Sequence, residues 1–214
     1  MKIIGIGHYS RTGKDTLANF IVNDCERLGV RAKKVSLAWK LKQVCHELYG
    51  WAGLREPEYY DTKEGELMRD ISIRALGMTP VEIWVAFGTP AVRENVYDRT
   101  WIDYILQTDH ECDVLLVPDI RFENETTEFR NEGAKLVKAV REGYGPKNTV
   151  ADRNLIEFDD WNLWCGGSME DLQLQAKGLA LWACDMNEFP QNSEGNSVYP
   201  SLDVMKAMEA PCVQ

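Results

Sequence analysis

An apolar run at the start of the chain, Lys2-Ile3-Ile4-Gly5-Ile6, breaks into the turn-rich segment Gly7 to Gly13. It resumes as a helical pattern with Leu17, Phe20, Ile21 and Leu28 on one face, stopped by Gly29. A buried strand that feeds a helix through a tight, glycine-bearing turn is the opening of an alternating α/β fold, and the rest of the chain continues the alternation. Lys34 to Leu37 reads as a second strand, followed by a helix with Leu37, Leu41, Val44, Cys45 and Leu48 as its apolar face and Gly50 at its end. Val114-Leu115-Leu116-Val117-Pro118-Asp119 is the strongest buried-strand signal, because it is continuously apolar and closes on a carboxylate. Lys135 to Val140 is a further strand, and Glu123 to Asn131, closed by Gly133, is the helix between them. Ser168-Met169-Glu170-Asp171 has capping-box spacing and opens a last helix with Met169, Leu172, Ala176 and Leu179 inward. Strands alternating with helices imply a parallel sheet with helices on both faces.

The middle of the chain departs from this rhythm. Residues 52 to 79 are polar and aperiodic, whereas Pro80 to Phe87 and Asp98 to Leu106 are helical, with Ile83, Trp84, Phe87, Trp101, Ile102 and Ile105 as packing residues. This section reads as an insertion that covers a substrate. From Asp185 onward the chain is rich in Asn, Ser, Pro and Glu, with Ser201 to Ala210 as one further short helix to which no catalytic role is given.

At 214 residues the chain supports one domain with a substantial core. No stretch approaches the roughly 20 apolar residues of a membrane span. The first residues carry no targeting chemistry, so a cytoplasmic location is expected. A net charge of −10 argues against a broad basic surface for duplex nucleic acid. The six cysteines are scattered without a Cys-x-x-Cys pair, which favours reduced structural thiols over zinc ligands. His46 and His110 have no partners at catalytic or metal spacing.

The chemistry is concentrated in the first loop. Gly13-Lys14-Asp15-Thr16 opens a helix directly after a strand and a turn, the context in which backbone amides and a helix N-terminus cradle phosphate. Ser10, Arg11, Thr12, Gly13, Lys14, Asp15 and Thr16 are therefore the candidate ATP-binding residues. Lys14 is placed to bridge the β- and γ-phosphates, Thr16 to donate a hydroxyl, and Asp15 to hold Mg2+ directly or through water. Two positions depart from G-x-x-x-x-G-K-[ST]: His8 stands at the first glycine and Asp15 at the hydroxyl position. Gly7, one residue earlier, and His8 itself are the two candidates for the unusual backbone angles such a loop needs.

Asp119 ends its buried strand where a carboxylate holds Mg2+ or its waters, and Arg121 follows two residues later at the carboxyl edge of the sheet. Arg11, Arg121 and Arg141 all fall on loops at that edge, where phosphoryl transfer needs positive charge; with Lys14 they are the candidate catalytic residues. In the middle region Thr89 and Arg93 are placed to grip an acceptor phosphate, and Trp39 to stack on its base.

Taken in order, these pieces resemble the bacteriophage deoxynucleoside monophosphate kinase family. Arg11 to Thr16 match its Arg-x-Gly-Lys-Asp-Thr ending. The likeness continues through Leu37 to Trp51, Gly88-Thr89 with Arg93, Trp101-Ile102, Asp119-Ile120-Arg121-Phe122 with Asn124-Glu125, and Gly167 to Leu172. Val85 and Cys165-Gly166 depart from it. The resemblance implies an adenylate-kinase-like P-loop fold: a three-layer sandwich on a parallel five-stranded sheet, with residues 52–110 as a helical acceptor region, 141–154 as a short lid including Arg153, and 185–214 as a tail. It further implies magnesium-ATP as donor, a deoxynucleoside monophosphate as acceptor, a role in supplying DNA precursors and a phage-encoded protein in the host cytoplasm. A homodimer is the candidate assembly, which the sequence leaves open. Two other readings stay open: a kinase that phosphorylates a hydroxymethylated pyrimidine in phage DNA, with Asp119 or Asp61 as base, and a noncatalytic nucleotide-binding protein.

Overall fold

The computed structural model describes residues 1–145, 161–165 and 167–186. In chain order its elements are β1 (Lys2–Gly7), α1 (Lys14–Arg27), β2 (Ala32–Lys34), α2 (Leu37–Tyr49), α3 (Lys63–Met68), α4 (Pro80–Ala86), α5 (Thr100–Gln107), β3 (Val114–Ile120), α6 (Glu123–Asn131), β4 (Lys135–Val140), β5 (Trp161–Trp164) and α7 (Met169–Ala183). The chain divides into two compact units, residues 1–35 with 109–214, and residues 36–108.

The first unit is an α/β sandwich. Its strands run in the order β2-β3-β1-β4-β5, every pair parallel. The central strand, β1, is lined on both sides. Ile4 and Ile6 join Leu17 and Ile21 of α1 and Leu172, Ala176 and Leu179 of α7 in one core, all of them buried. On the opposite face Ile3, Leu115, Ile120, Leu136 and Phe129 of α6 are buried. A strand covered on both faces has no polar side, which is why β1 and β3 read as unbroken apolar runs. Gly5 is required by this crowding: a Cβ there would stand 2.3 Å from Ile120 Cδ1 and 2.7 Å from Leu136 Cδ2. β5 is a four-residue edge strand paired to Val137–Val140.

Several boundaries differ from expectation. The second strand is Ala32–Lys34 and not Lys34 to Leu37, because Ser36 leaves the sheet to cap α2, its Oγ accepting the Ala38 N–H at 3.1 Å. Met169, expected inward, is 54% exposed; it is the first residue of α7, and Leu172 takes the inward position. Leu28 and Leu48 also face solvent more than their periodicity suggested. At α7 the capping box is present as read, with Ser168 Oγ accepting from Asp171 N–H at 3.1 Å and Asp171 Oδ2 accepting from Ser168 N–H at 2.9 Å.

The second unit is helical. Its core gathers Cys45, Leu54, Tyr60, Ile83 and Trp84, with the Tyr60 and Trp84 rings edge-on at 4.9 Å. The stretch read as aperiodic contains short 3-10 turns and α3, which Thr62 caps by accepting the Gly65 N–H at 3.0 Å. Thr79 and Glu82 form a reciprocal capping box at the start of α4. α4 then runs on into a π-helical turn over Phe87–Arg93 that contains Pro90. The proline has no N–H to place in a regular helical ladder, and Gly88 permits close packing, since a Cβ there would stand 2.7 Å from Leu41 Cδ2. Trp101 of α5, buried, ties this turn down by donating its indole N–H to Gly88 O at 3.2 Å.

Candidate functional site

The first unit assembles most of the residues singled out from sequence around the β1–α1 loop. His8, Arg11 and Gly13 all take positive φ, at 104°, 65° and 94°. Residues of left-handed conformation interspersed along a short loop turn backbone amides toward one side, the geometry that receives an anion. The unusual angle at the loop entrance belongs to His8; Gly7 stays in β1, paired with Ile120 and Lys138. His8 thus holds a left-handed backbone conformation that favours glycine, at a cost of about 1–3 kcal/mol. It is 7% exposed and its ring lies 4.1 Å from that of Tyr9.

Lys14 is the centre of the loop's electrostatics. It lies in the first turn of α1, only 7% exposed, and its ammonium donates to the Tyr9 carbonyl and lies 3.5 Å from Thr12 Oγ1. Thr12 is fully buried and donates its hydroxyl to the same carbonyl at 3.0 Å. Burial, reinforced by the nearby charge of Arg121, pushes the Lys14 pKa down to about 8, against the opposing pull of Asp15, Asp119 and Cys165. A buried lysine held mainly by a carbonyl is poised to exchange that acceptor for a more charged one, such as a phosphate oxygen.

The same interactions place Arg121, Asp15 and Asp119 in electrostatic reach of Lys14. Asp119 sits on a bulge: Gly5 pairs with Val117 and Gly7 with Ile120, so β3 carries one extra residue at Pro118-Asp119. A bulge next to a proline re-aims the side chain that follows, and here it delivers Asp119 at the strand's carboxyl end. Asp15 is exposed and its Oδ1 lies 3.4 Å from Lys34 Nζ, at the end of β2. Arg141, exposed, stacks its guanidinium 4.8 Å from the Tyr144 ring and bears on Cys165, whose thiol burial pushes up to about 11. Cys165 also backs the loop, since a Cβ on Gly13 would stand 3.6 Å from Cys165 Cβ. Ser10 is half-buried and Arg11 exposed on the loop, and Thr16 is half-buried in the first turn of α1.

Among the described residues no group of three or more His, Cys, Asp or Glu side chains is placed to hold a metal ion. Asp15 and Asp119, the two carboxylates near this loop, are of the kind that could hold Mg2+, which keeps several waters and binds through one or two protein carboxylates.

The acceptor candidates all lie in the second unit. Trp39, on α2, is 40% exposed and donates its indole N–H to Glu58 at 3.0 Å. Thr89 and Arg93, read from sequence as an acceptor-phosphate grip, are half-buried on the π-helical turn. Lid residues 146–154, with Arg153, and the tail beyond 186 lie outside the described residues.

Sequence reading missed two features of this region. Lys34, whose ammonium meets Asp15, was read only as the start of a strand; its basic charge at a strand's carboxyl end was the available signal. Glu125, which turns out to be 1% exposed, was noticed only as part of a motif.

No helix among the described residues is long and apolar enough to cross a membrane. No family model matches the chain. Over 178 residues, 74% of this chain and 86% of the relative, the chain is 29% identical to a protein of Acanthamoeba polyphaga mimivirus named "Putative deoxynucleotide monophosphate kinase".

Proposed function

We propose that the chain is an ATP-dependent kinase that transfers the γ-phosphoryl group of ATP to a deoxynucleoside monophosphate, giving the diphosphate for DNA precursor synthesis. The observation that carries this reading is Lys14: a lysine buried in a loop of left-handed turns at a helix N-terminus, with Arg121, Asp15 and Asp119 all acting on it. The similarity to the mimivirus protein, in a chain that covers most of that relative, supports the choice of a nucleotide kinase over other phosphate binders.

In this reading the β1–α1 loop, Ser10 to Thr16, is a P-loop that holds the ATP phosphates. Lys14 leaves the Tyr9 carbonyl for the β- and γ-phosphate oxygens, and the gain in acceptor charge returns its pKa toward the ordinary lysine range. Thr16 donates its hydroxyl. Lys14, Arg11, Arg121 and Arg141 supply positive charge where the equatorial oxygens of the transferring group become more negative. The acceptor phosphate is already nucleophilic, so the protein's contribution is placement and charge, with no strong base required. Asp15 and Asp119 would hold Mg2+, which neutralises phosphate charge when bound with ATP. Thr89 and Arg93 take the acceptor phosphate and Trp39 its base. A phage- or virus-encoded enzyme of this kind works in the host cytoplasm.

The test is a pair of variants. Lys14→Ala lowers diphosphate formation on the order of 1,000-fold, whereas Arg93→Ala chiefly raises the KM for the deoxynucleotide. Unchanged kinetics in both folded variants would rule the assignment out.

A further inference from the structure

Asp119 near the end of β3 and Arg121 in the turn that follows lie at and just beyond an irregular stretch of the ladder. Pro118 has no N–H, and the bulge between Val117 and Ile120 interrupts the ladder to β1. The turn is anchored by the helix it enters. Glu125, the third residue of α6 and 1% exposed, accepts the Arg121 N–H at 2.6 Å and the Phe122 N–H at 3.0 Å, both on Oε2.

Helix capping alone does not account for this arrangement. In a reciprocal capping box the N-cap side chain accepts a bond in return, but the N-cap here is Phe122, which has no acceptor. The shorter of the two bonds goes to Arg121, one residue outside the helix and beyond the donors that capping must satisfy. A glutamine serves a capping box as well as a glutamate does, yet the chain places a carboxylate where burial penalises charge. The stronger, charge-assisted bonds of a carboxylate suit a turn that leaves the sheet straight after a bulge and must hold one conformation.

We propose that Glu125 is a positioning residue for phosphoryl transfer that acts through Arg121. Its buried carboxylate clamps the main chain of the Asp119–Phe122 turn so that the Arg121 guanidinium stays at the edge where Lys14 lies. The role rests on the kinase reading above and adds to it a residue that touches neither nucleotide. Ile120, the residue before Arg121, pairs with Gly7 at the entrance of the loop, so the clamped turn and the loop are near enough for misplacement to matter.

The test is a double-mutant cycle on the full chain, with magnesium-ATP and the best deoxynucleoside monophosphate. Glu125→Gln preserves the shape of the side chain and one acceptor, so the protein folds. Its kcat falls about tenfold while the KM for ATP stays within about twofold, because a displaced charge costs the transition state more than the ground state. In an Arg121→Ala background the same substitution costs no more than about twofold, since the residue it positions is already gone. Hydrogen exchange at the Arg121 and Phe122 amides is faster in Glu125→Gln, with melting little changed. An equal loss of kcat in both backgrounds marks a merely structural role and overturns the proposal, as does an unchanged kcat in Glu125→Gln. Absence of turnover in the unsubstituted chain instead overturns the kinase reading itself, and this role with it.

Discussion

Replacing Lys14 with methionine should make the protein more stable and inactive at once. A lysine whose pKa falls from 10.5 to about 8 on folding carries a cost in the folded state wherever it is protonated. At about 1.4 kcal/mol per unit, the shift corresponds to about 3 kcal/mol. The sign follows from proton counting. Between pH 8 and 10.5 the unfolded chain binds more protons at this position than the folded one, so stability rises with pH through that window. The full cost is present below about pH 8 and is gone above about pH 10.5. Methionine matches the length and flexibility of the lysine stem without the charge. The Tyr9 carbonyl that loses the ammonium keeps the Thr12 hydroxyl at 3.0 Å, so no buried acceptor is stranded. Lost packing and the lost bond return about 1 kcal/mol, leaving a net gain of about 2 kcal/mol at pH 7. For a chain of this size that raises the melting temperature by about 4–8 °C. Circular dichroism melts at pH 7 and pH 10 check it: the gap between variant and parent shrinks at pH 10, and phosphoryl transfer is lost at both. A Lys14→Met protein less stable than its parent at pH 7, or a gap indifferent to pH, would refute the reasoning.

The backbone and the carboxylates give three further expectations. Gly13→Ala places a side chain at φ 94°, which costs about 1–2 kcal/mol and weakens ATP binding by at least tenfold; because the nearest atom, Cys165 Cβ, is at 3.6 Å, the loss comes from strain and is not relieved by Cys165→Ala. Gly5→Ala drives a methyl into Ile120 and Leu136 and destabilises by about 1–3 kcal/mol in urea unfolding, with partial recovery when Ile120→Val is added. Asp119→Asn raises the Mg2+ concentration for half-maximal rate about tenfold or more and leaves the fold intact, which a magnesium titration of initial rates reads directly.

The α/β alternation was legible because it rests on what β1 and β3 must bury. Strands covered on both faces cannot alternate polar and apolar residues, and helices such as α1 and α7 carry an apolar stripe over most of their length. Four strands were placed from sequence and β5 was not, since Trp161–Trp164 is short and its neighbours carry no strong pattern. Where local propensity and tertiary packing compete, sequence reading slipped. Ser36 reads as part of a strand until its hydroxyl is seen capping α2, and Met169 falls on the apolar period of α7 although the first turn of that helix projects into solvent. The phosphate-loop candidates were legible as a string, but the conformation was not. A histidine at φ 104° is sustained only because the fold around it over-determines the loop. Lys34 and Glu125 were not legible as parts of the site at all, because a lysine at a strand end and a glutamate early in a helix are ordinary until their partners, Asp15 and the Arg121 amide, are known.

The measurement that bears most directly on the account is product formation. Purified protein is incubated with magnesium-ATP and, separately, each deoxynucleoside monophosphate, common and hydroxymethylated, and the nucleotides are separated by chromatography. ADP and a deoxynucleoside diphosphate are expected in equal amounts, dependent on the acceptor and lost in Lys14→Ala. ATP binding without any acceptor-dependent diphosphate, or transfer only to a hydroxymethylated base within DNA, would contradict it.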